Sequence, residues 1–338
     1  MKRLLLVLII CVSSIFAEFN KVGTTAAQFL KMGVGARALG MGGGFVAFAN
    51  DGTAHYWNPA GLTSFQNIGV AFNHNTWVLD ISHEYISITV PGGSFGTFGF
   101  SLSALTMDEK EVTTVYEPDG TGIYYSVADM ALSASYASRL TDRLSYGFSL
   151  KYIRLMEYNE LAQTFAVDVG SILETDFYGM KIGMALSNFG GEVRFEGRDL
   201  IEKADIDEDI DGNYLTDVNI RTERWPLPLL IRIGIGLDIL GNNDAVFHSR
   251  SNRLSLALDA VHPNDSPEHI NLGLEYALYE RFFLRSGYRF NYDEENISFG
   301  AGLRINLKTL GNVNFNYAVM PLGPFGKTSQ ISIELGLN

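Results

Sequence analysis

The sequence predicts an all-β fold, a transmembrane antiparallel β-barrel of about 14 strands that is preceded by an N-terminal plug segment. Three features predict this fold. An apolar leader opens the chain, large apolar and small polar residues alternate over most of the remainder, and short connections contrast with two long polar ones. Because 46% of the residues are hydrophobic and 19% are charged, the chain is too apolar to be disordered.

The leader has the layout of a secretory signal peptide. Two basic residues precede an unbroken apolar run from Leu4 to Val12, and the stretch that follows ends in a small residue, Ala17. The run is shorter than the ~20 residues that a membrane-spanning helix needs. We therefore expect residues 1–17 to be a signal peptide that is cleaved after Ala17, and we expect the mature chain in the outer membrane of a Gram-negative-type bacterium.

Period-two alternation is the pattern of a strand with one apolar face. From Leu144 to Tyr152, large apolar side chains take one face, and Ser145, Ser149 and Lys151 take the other. The same interpretation gives about 14 strands. They lie at 67–74, 81–90, 96–106, 128–137, 144–156, 163–174, 180–189, 228–240, 253–261, 269–278, 282–291, 296–307, 312–320 and 328–337.

A soluble β-sandwich also alternates, but its exposed face is rich in Lys, Thr and Glu. Here Gly, Ser and Asn dominate the polar face, which suits the crowded wet lumen of a barrel whose apolar face meets lipid. A secreted soluble β-protein is the alternative. The sparse charges on the predicted lumen face are Lys151, Asp168, Arg232, Asp238, Asp259, Glu275, Arg285, Arg289, Arg304 and Glu334.

The connections alternate in length, as the two ends of an outer-membrane barrel do. The turns at 138–143 and 279–281 are short, whereas 107–127 and 190–227 are long and polar. We expect the long connections to face outward and both chain ends to lie in the periplasm. The connection at 241–252 is longer than its side of the barrel should allow.

Several function classes are disfavoured by composition. The net charge of −13 and the absence of clustered Lys and Arg argue against nucleic acid as a partner. The single cysteine, Cys11, lies in the leader, which excludes a disulfide framework and a cysteine nucleophile. The six histidines have no metal-ligand spacing, and no Ser/His/Asp grouping is evident, so we expect no enzyme.

Two motifs follow the leader, Gly35-Ala36-Arg37-Ala38 continuing to Gly40-Met41-Gly42, and Tyr56-Trp57-Asn58-Pro59-Ala60-Gly61. They closely resemble the opening of the PorV/PorQ family of outer-membrane proteins and, more distantly, the FadL-type long-chain fatty-acid transporters. The resemblance implies a plug or hatch at residues 18–66, folded into the lumen of a barrel at residues 67–338. The chain departs from many barrels in ending on Leu337-Asn338 rather than on an aromatic residue.

The plug residues each have an expected role. The glycines let the backbone turn and lie close to the barrel wall, where a Cβ would collide; they are Gly40, Gly42, Gly43 and Gly44. Arg37 should find a carboxylate on the lumen face, since an unpaired guanidinium there is costly. We expect Asn58 to cap a turn before Pro59, and Trp57 to anchor the plug; a ligand site at these residues is the alternative.

One polar connection carries a calcium-like pattern. Asp207, Asp209 and Asp211 alternate and are followed by Gly212, as in the first half of a calcium-binding loop. Val218 stands at the twelfth position, where a bidentate Glu is expected. Weak calcium binding and a solvated acidic loop both fit this pattern, and no other cofactor is expected.

Two functions follow from the resemblance. The preferred one is non-enzymatic: a PorV/PorQ-type barrel that handles secreted protein cargo in type IX-like secretion, with outer-membrane lipid and secretion-system components as partners. The alternative is a FadL-like channel for the uptake of hydrophobic small molecules. The charges on the predicted lumen face disfavour a uniformly apolar tunnel.

Overall fold

The structure is a computed structural model that describes residues 22–204, 216–242, 244–308 and 311–337. The predicted signal peptide lies outside these residues. A closed antiparallel barrel of fourteen strands forms the body of the protein. The fourteen strands confirm the predicted fold class and its strand number.

The barrel strands follow one another in chain order around the ring. They are β1 (Gly69–Thr76), β2 (Ser82–Pro91), β3 (Thr97–Thr106), β4 (Val127–Arg139), β5 (Leu144–Glu157), β6 (Glu160–Glu174), β7 (Lys181–Gly190), β8 (Leu230–Gly241), β9 (Asn252–Pro263), β10 (His269–Leu278), β11 (Phe282–Phe290), β12 (Ile297–Leu307), β13 (Gly311–Pro321) and β14 (Lys327–Gly336). Each strand pairs antiparallel with the next, and β14 pairs with β1 to close the ring.

The two ends of the barrel differ. We call the end that carries the long connections 107–126 and 191–229 the upper end, and the opposite end the lower end. The upper connections contain short strand pairs, Lys110–Glu111 with Tyr124–Tyr125 and Ile201–Ala204 with Thr216–Asn219. At the lower end, the long connection after β8 contains Phe247–His248, which pairs in parallel with the end of β8. The connection at 241–252, which is longer than its side of the barrel should allow, therefore contains an extra paired segment.

Alternation along each strand separates an inner face from an outer one. On β5, Phe148 is 48% exposed, whereas its neighbour Ser149 is fully buried. Most strand positions repeat this pattern with apolar side chains outward and small or polar side chains inward, and Ile153 and Leu155 of β5 are inward-facing exceptions. The inner faces therefore surround whatever occupies the lumen.

Helical structure is short. The N-terminal segment contains a 3₁₀ turn at Gln28–Lys31, helices α1 (Ala36–Gly40) and α2 (Ala54–Trp57), and a 3₁₀ helix at Pro59–Ser64. Further 3₁₀ turns lie in connections, at Val78–Asp80, Gly93–Phe95, Arg198–Leu200 and Gly323–Phe325. Among the described residues, no helix has the length and apolar character to cross a membrane.

Candidate functional site

The N-terminal segment, residues 22–66, runs through the lumen from the upper end to the lower end. Near its start, the N–H of Ala26 donates to the carbonyl of Pro226 in an upper connection, 3.0 Å away. Near its end, the Thr63 hydroxyl donates to Ser145 Oγ at the lower end of β5, 2.9 Å away. The segment therefore spans the barrel before β1 begins.

This path corrects one sequence prediction. Leu337 lies at the lower end, where its N–H donates to Ile68 (2.8 Å), but the described chain starts at Val22, near the upper end. The prediction placed both chain ends in the periplasm because short and long connections alternate. A segment that crosses the lumen before the first strand puts the start of the described residues at the end of the barrel opposite to Leu337.

The central part of the segment contacts all fourteen strands of the ring. A layer of inward-facing strand glycines makes this possible, because a Cβ on any of them would come within 3.1 Å of another atom in this packed layer. These glycines are Gly99, Gly147, Gly170, Gly183, Gly234, Gly236, Gly273, Gly287 and Gly300. The backbone of the segment thus lies directly on the backbone of the wall.

The four glycines singled out in the sequence lie in this layer. A Cβ on Gly40 would stand 3.1 Å from the Cα of Gly300. Gly42 has a positive φ of 63°, which favours glycine, and its Cβ would meet the wall at 3.0 Å. Cβ atoms on Gly43 and Gly44 would each meet a neighbouring atom at 3.1 Å.

Arg37 of α1 joins the segment to the wall through charge. Its guanidinium donates to both carboxylate oxygens of Glu275 (2.9 and 3.1 Å) and to Asn50 Oδ1 (2.6 Å). Glu275 also accepts from Arg285 (2.7 Å) and Arg253 (2.9 Å), so three guanidinium groups share one buried carboxylate. The carboxylate of Asp51 lies 3.4 Å from the same guanidinium, so Arg37 joins two acidic side chains.

The Trp57-Asn58-Pro59 sequence fixes the turn between α2 and the following 3₁₀ helix. The indole N–H of Trp57 donates to the carbonyl of Val34 (2.8 Å). The Asn58 side chain accepts from the N–H of Ala60 (3.2 Å), which caps the helix that Pro59 opens. The same amide donates to the carbonyl of Ser171 on β6 (3.0 Å), so the turn is tied to the wall as well.

Sequence reasoning assigned no role to two buried polar groups that hold the same region. His55 lies between the hydroxyls of Ser135 and Thr89, 3.0 Å from each. Its imidazole therefore bridges two strands. Asp259 on β9 accepts the backbone N–H groups of Phe45 and Val46 (2.7 and 2.8 Å). A signal existed for His55, since it is the single histidine of the predicted plug at residues 18–66.

An upper cavity of about 450 Å³ lies between the N-terminal segment and the upper connections. Just over half of its lining residues are apolar or aromatic, and eight of the 23 are charged or amide side chains. Residues that line it include Phe29, Met32, Leu39, Trp57, Trp77, Leu105, Leu230, Val261 and Met320. This arrangement, an apolar majority with a minority of polar groups, is typical of small-molecule sites.

Arg232 at the edge of the upper cavity has an unusual environment. Its side chain is 4% exposed. Among the described residues, it is the single buried Lys or Arg side chain without an ion pair, whereas Lys151, Arg285 and Arg289 each contact a carboxylate. Its partners are Ser187 Oγ (3.1 Å) and the ring faces of Tyr56 and Trp57, about 5 Å away.

A lower cavity of about 560 Å³ lies on the other side of the segment. Its lining is charged and amide-rich, in contrast to the upper cavity. The residues include Arg37, Asp51, Asp238, Arg253, Glu275, Arg285, Arg304, Asn314 and Glu334. The two cavities share no lining residue, because the N-terminal segment separates them.

The predicted calcium ligands, Asp207, Asp209 and Asp211, lie outside the described residues. Within the part of the chain that the structure describes, no cluster of three or more His, Cys, Asp or Glu side chains is arranged to hold a metal ion. The calcium site therefore stays a prediction from sequence.

Comparison with known proteins agrees with the barrel fold. Residues 10–164 match the model of an uncharacterised protein family, UPF0164. None of the curated proteins matches the chain.

Several solved structures share the fold. The toluene transporter TbuX of Ralstonia pickettii is 13% identical with a TM-score of 0.54, over 90% of this chain and 97% of that one. The toluene transporter TodX of Pseudomonas putida is 12% identical with a TM-score of 0.53, over 90% and 96% of the two chains. A FadL homologue of Pseudomonas aeruginosa is 12% identical with a TM-score of 0.52, over 90% and 98%. The protein therefore has the fold of FadL-type barrels.

Proposed function

We propose that the protein is an outer-membrane channel for the uptake of hydrophobic small molecules. It acts by binding and passage rather than by catalysis, and its membrane partner is lipid. The upper cavity carries the proposal, because it combines apolar walls with a position next to the upper connections. The structures that share the fold include two toluene transporters, which supports the same class of cargo.

The outer face of the barrel supports the membrane location. All fourteen strands expose at least one large apolar side chain, and the exposed fraction is typically about half, as for Phe148 (48%) and Phe299 (54%). An apolar belt that encircles the whole molecule far exceeds the patches that soluble monomers expose. Thirteen of the strands contain nine to fifteen residues, which is enough to cross the hydrocarbon layer when tilted, and β1 contains eight.

Arg232 suggests how the cavity holds one polar group of a cargo molecule. Its guanidinium contacts two ring faces and the hydroxyls of Ser187 and Tyr56, and the carboxylate of Asp259 acts on it from beyond ion-pair distance. A cargo molecule with an apolar body and one hydrogen-bond-accepting group therefore gains an interaction there that a hydrocarbon lacks. We expect molecules of this kind to bind more tightly than hydrocarbons of equal size.

Tryptophan quenching tests the proposal directly. The chain has three tryptophans, of which Trp57 and Trp77 line the upper cavity, whereas Trp225 lies in an upper connection and is 40% exposed. In a Trp225→Phe variant in lipid vesicles, bromotoluene should quench the two cavity tryptophans with saturation. The matched control is Trp57→Phe with Trp77→Phe, which keeps Trp225 and reports probe dissolved in lipid. Equal, unsaturable quenching in both proteins contradicts the proposal.

A second candidate function, the handling of secreted protein cargo in type IX-like secretion, is favoured by one feature of the outer surface. In the upper connection 107–126, Val115 and Tyr116 are each 95% exposed at a turn that Thr114 and Glu117 close by mutual backbone hydrogen bonds. Exposed apolar side chains on a loop suit protein recognition. If the protein handles secreted cargo, replacing Val115 and Tyr116 with Ser should abolish the attachment of secreted proteins to it. The quenching of its tryptophans by bromotoluene should stay unchanged.

A further inference from the structure

The outer face of β5 and β6 changes character near the upper end of the barrel. From Tyr146 to Tyr152 the outward side chains of β5 are apolar or aromatic, and Tyr152 packs beside Phe165 of β6, with ring centroids 5.4 Å apart. Aromatic side chains at this position form the girdle where a barrel leaves the hydrocarbon layer. The next outward residues above them are Arg154 on β5 and Gln163 on β6, which lie opposite each other. These two side chains therefore lie at the level of the lipid head groups.

The upper connection 191–229 brings two more guanidinium groups to this face. Val193 and Trp225 exchange both backbone hydrogen bonds (2.8 and 2.9 Å), so they lie directly opposite each other. Their neighbours Arg194 and Arg224 consequently face each other across the same pairing. Both arginines line a crevice of about 540 Å³ on the outer side of β6.

Gln163 connects this crevice to β5. It lines the crevice together with Arg194 and Arg224, and on its other side it lies opposite Arg154. The hydroxyl of Tyr152 donates to Gln163 Oε1 (2.8 Å), which leaves the amide N–H groups of Gln163 for another acceptor. The four side chains span three strand spacings of about 4.8 Å. We call Arg154, Gln163, Arg194 and Arg224 the arginine row.

Carboxylates balance only part of the charge of the arginine row. Arg194 pairs with Glu196, whereas among the described residues neither Arg154 nor Arg224 has an ion pair. The crevice contains one further carboxylate, that of Glu192. Two guanidinium groups without a partner thus face one carboxylate. A charge at the lipid boundary is costly unless another group meets it, so the arginine row has room for an anion from outside the chain.

Another pair of charged groups shows the difference. His74 of β1 and Glu84 of β2 also point outward near the upper end, and they lie opposite each other on adjacent strands. His74 Nδ1 and Glu84 Oε1 are 2.5 Å apart. This pair satisfies itself within the wall, whereas the arginine row does not.

A lipid phosphate fits the arginine row in both charge and position. Guanidinium groups donate two parallel hydrogen bonds to phosphate oxygens, and they stay charged throughout the physiological pH range. Below the row, Phe165 and Phe189 are 60% and 64% exposed on the outer face. A lipid bound by its phosphate therefore lays its acyl chains on these rings, and a free phosphate ion gains nothing from them.

We propose that the arginine row binds the phosphate of a lipid in the leaflet at the upper end of the barrel. The bound lipid joins β5 and β6 to the connection 191–229, because both contribute guanidinium groups to it. The site is distinct from the one proposed for cargo, since the crevice and the upper cavity share no lining residue. It depends on the membrane location of the barrel and not on what passes through the lumen.

Native mass spectrometry of the protein released from nonionic detergent tests the site. The probes are phosphatidylglycerol and a diacylglycerol with the same acyl chains, which lacks the phosphate. We expect one phosphatidylglycerol molecule to stay bound and the diacylglycerol to leave with the detergent. Glycerol phosphate has the phosphate without acyl chains, and it should not displace the lipid at equal concentration.

Charge substitutions give the matched comparison. Arg154→Gln with Arg224→Gln should raise the apparent Kd for phosphatidylglycerol by about tenfold or more, because charge-assisted hydrogen bonds are lost. Arg154→Lys with Arg224→Lys keeps the charge and should bind more tightly than the Gln variant. Arg143→Gln is the control: Arg143 lies at the lower end, is 58% exposed and pairs with Asp176, so its loss should leave the Kd unchanged.

Equal retention of phosphatidylglycerol and diacylglycerol overturns the proposal, and so does an equal Kd in the Arg143→Gln variant and the doubly substituted Gln variant. Displacement of the lipid by glycerol phosphate at equal concentration assigns the row to free phosphate instead. Tryptophan quenching by bromotoluene should be the same in the Gln variant and the unsubstituted chain. Failure of that quenching in both proteins overturns the uptake function and leaves the lipid site intact.

Discussion

The upper and lower halves of the lumen are built on the same strands, yet they have opposite chemistry. The upper cavity is lined mainly by apolar and aromatic side chains, and the lower cavity mainly by charged and amide ones. Between them lies a layer in which glycines of the N-terminal segment contact glycines of the wall. A lumen can thus be polar on average and still contain an apolar compartment.

The change can be followed along a single strand. From the lower end upward, the inner face of β5 presents Ser149 and Lys151, and then Ile153 and Leu155. The outer face is apolar from Tyr146 to Tyr152 and carries Arg154 near the upper end, so the period of two is preserved while the inner residues change type. The charged residues that disfavoured a uniformly apolar tunnel are therefore compatible with a site for hydrophobic cargo in the upper half.

The largest expected effect concerns the charge network of the lower half. Glu275→Gln removes the negative charge that Arg37, Arg253 and Arg285 share. Leaving buried charges without their partner costs roughly 3–5 kcal/mol. We expect the free energy of unfolding to fall by about this amount in a denaturant titration of the barrel in lipid vesicles.

Glu280→Gln is the control for this change. Glu280 also contacts Arg253, but it is 50% exposed, and pairs of this kind contribute about 0–1 kcal/mol. If Glu275→Gln lowers the free energy of unfolding no more than Glu280→Gln does, the charge network around Glu275 does not stabilise the fold. The contrast between the two halves of the lumen then has no consequence for stability.

The barrel could be predicted from sequence because its signal is local. Each strand contributes its own alternation, and the short turns mark where one strand ends. The path of the N-terminal segment has no such signal, since its contacts depend on approach to strands far away in sequence. Arg37 was expected to find a carboxylate, but nothing in the sequence distinguishes Glu275 from the other acids of the lumen face.

The next expected effect concerns the glycine layer between the halves. Gly287→Val places a side chain where the backbone of Gly42 now lies. Overpacking of this kind costs about 1–3 kcal/mol, and we expect it to push the N-terminal segment away from the wall. The upper and lower cavities should then connect, which single-channel recording detects as a larger conductance.

Gly336→Val is the matched control, because it is also a strand glycine, and a Cβ there would find its nearest neighbour at 3.9 Å. It should alter neither stability nor conductance. An unchanged conductance in Gly287→Val would show that the glycine layer does not separate the two cavities.

Other features of the upper half were beyond sequence reasoning for a related reason. Asp265 lies in a short connection without a motif, and its partners Thr25 and Lys31 lie more than two hundred residues earlier. On β5, Ile153 and Leu155 face inward, although the alternation from Leu144 to Tyr152 predicts polar side chains on that face. Convergence of distant segments, rather than any local pattern, creates the cluster around Asp265.

The smallest expected effect on global stability, and the most local one, concerns pH. It involves the cluster that Asp265 forms with Thr25, Gln28 and Lys31, called the latch, and residues 22–33, called the lid, which this cluster holds. Burial raises the pKa of Asp265, but hydrogen bonds from Gln28, Thr25 and Lys31 outweigh it and hold that pKa below its usual value. In the unfolded chain the pKa returns to about 3.9. The latch therefore contributes its full stability above that pH and loses it as pH falls through the lower value of the folded state.

Protection of the lid amides, corrected for intrinsic exchange, should accordingly be constant from neutral pH down to about pH 4 and then fall about tenfold. Asp265→Asn should show the lower protection at every pH, because the neutral amide cannot pair with the Lys31 ammonium. The amide of Gly43 below the lid should follow neither change. Equal loss of protection at Gly43 would mean that acid loosens the whole N-terminal segment, and the upper half would then have no independent point of opening.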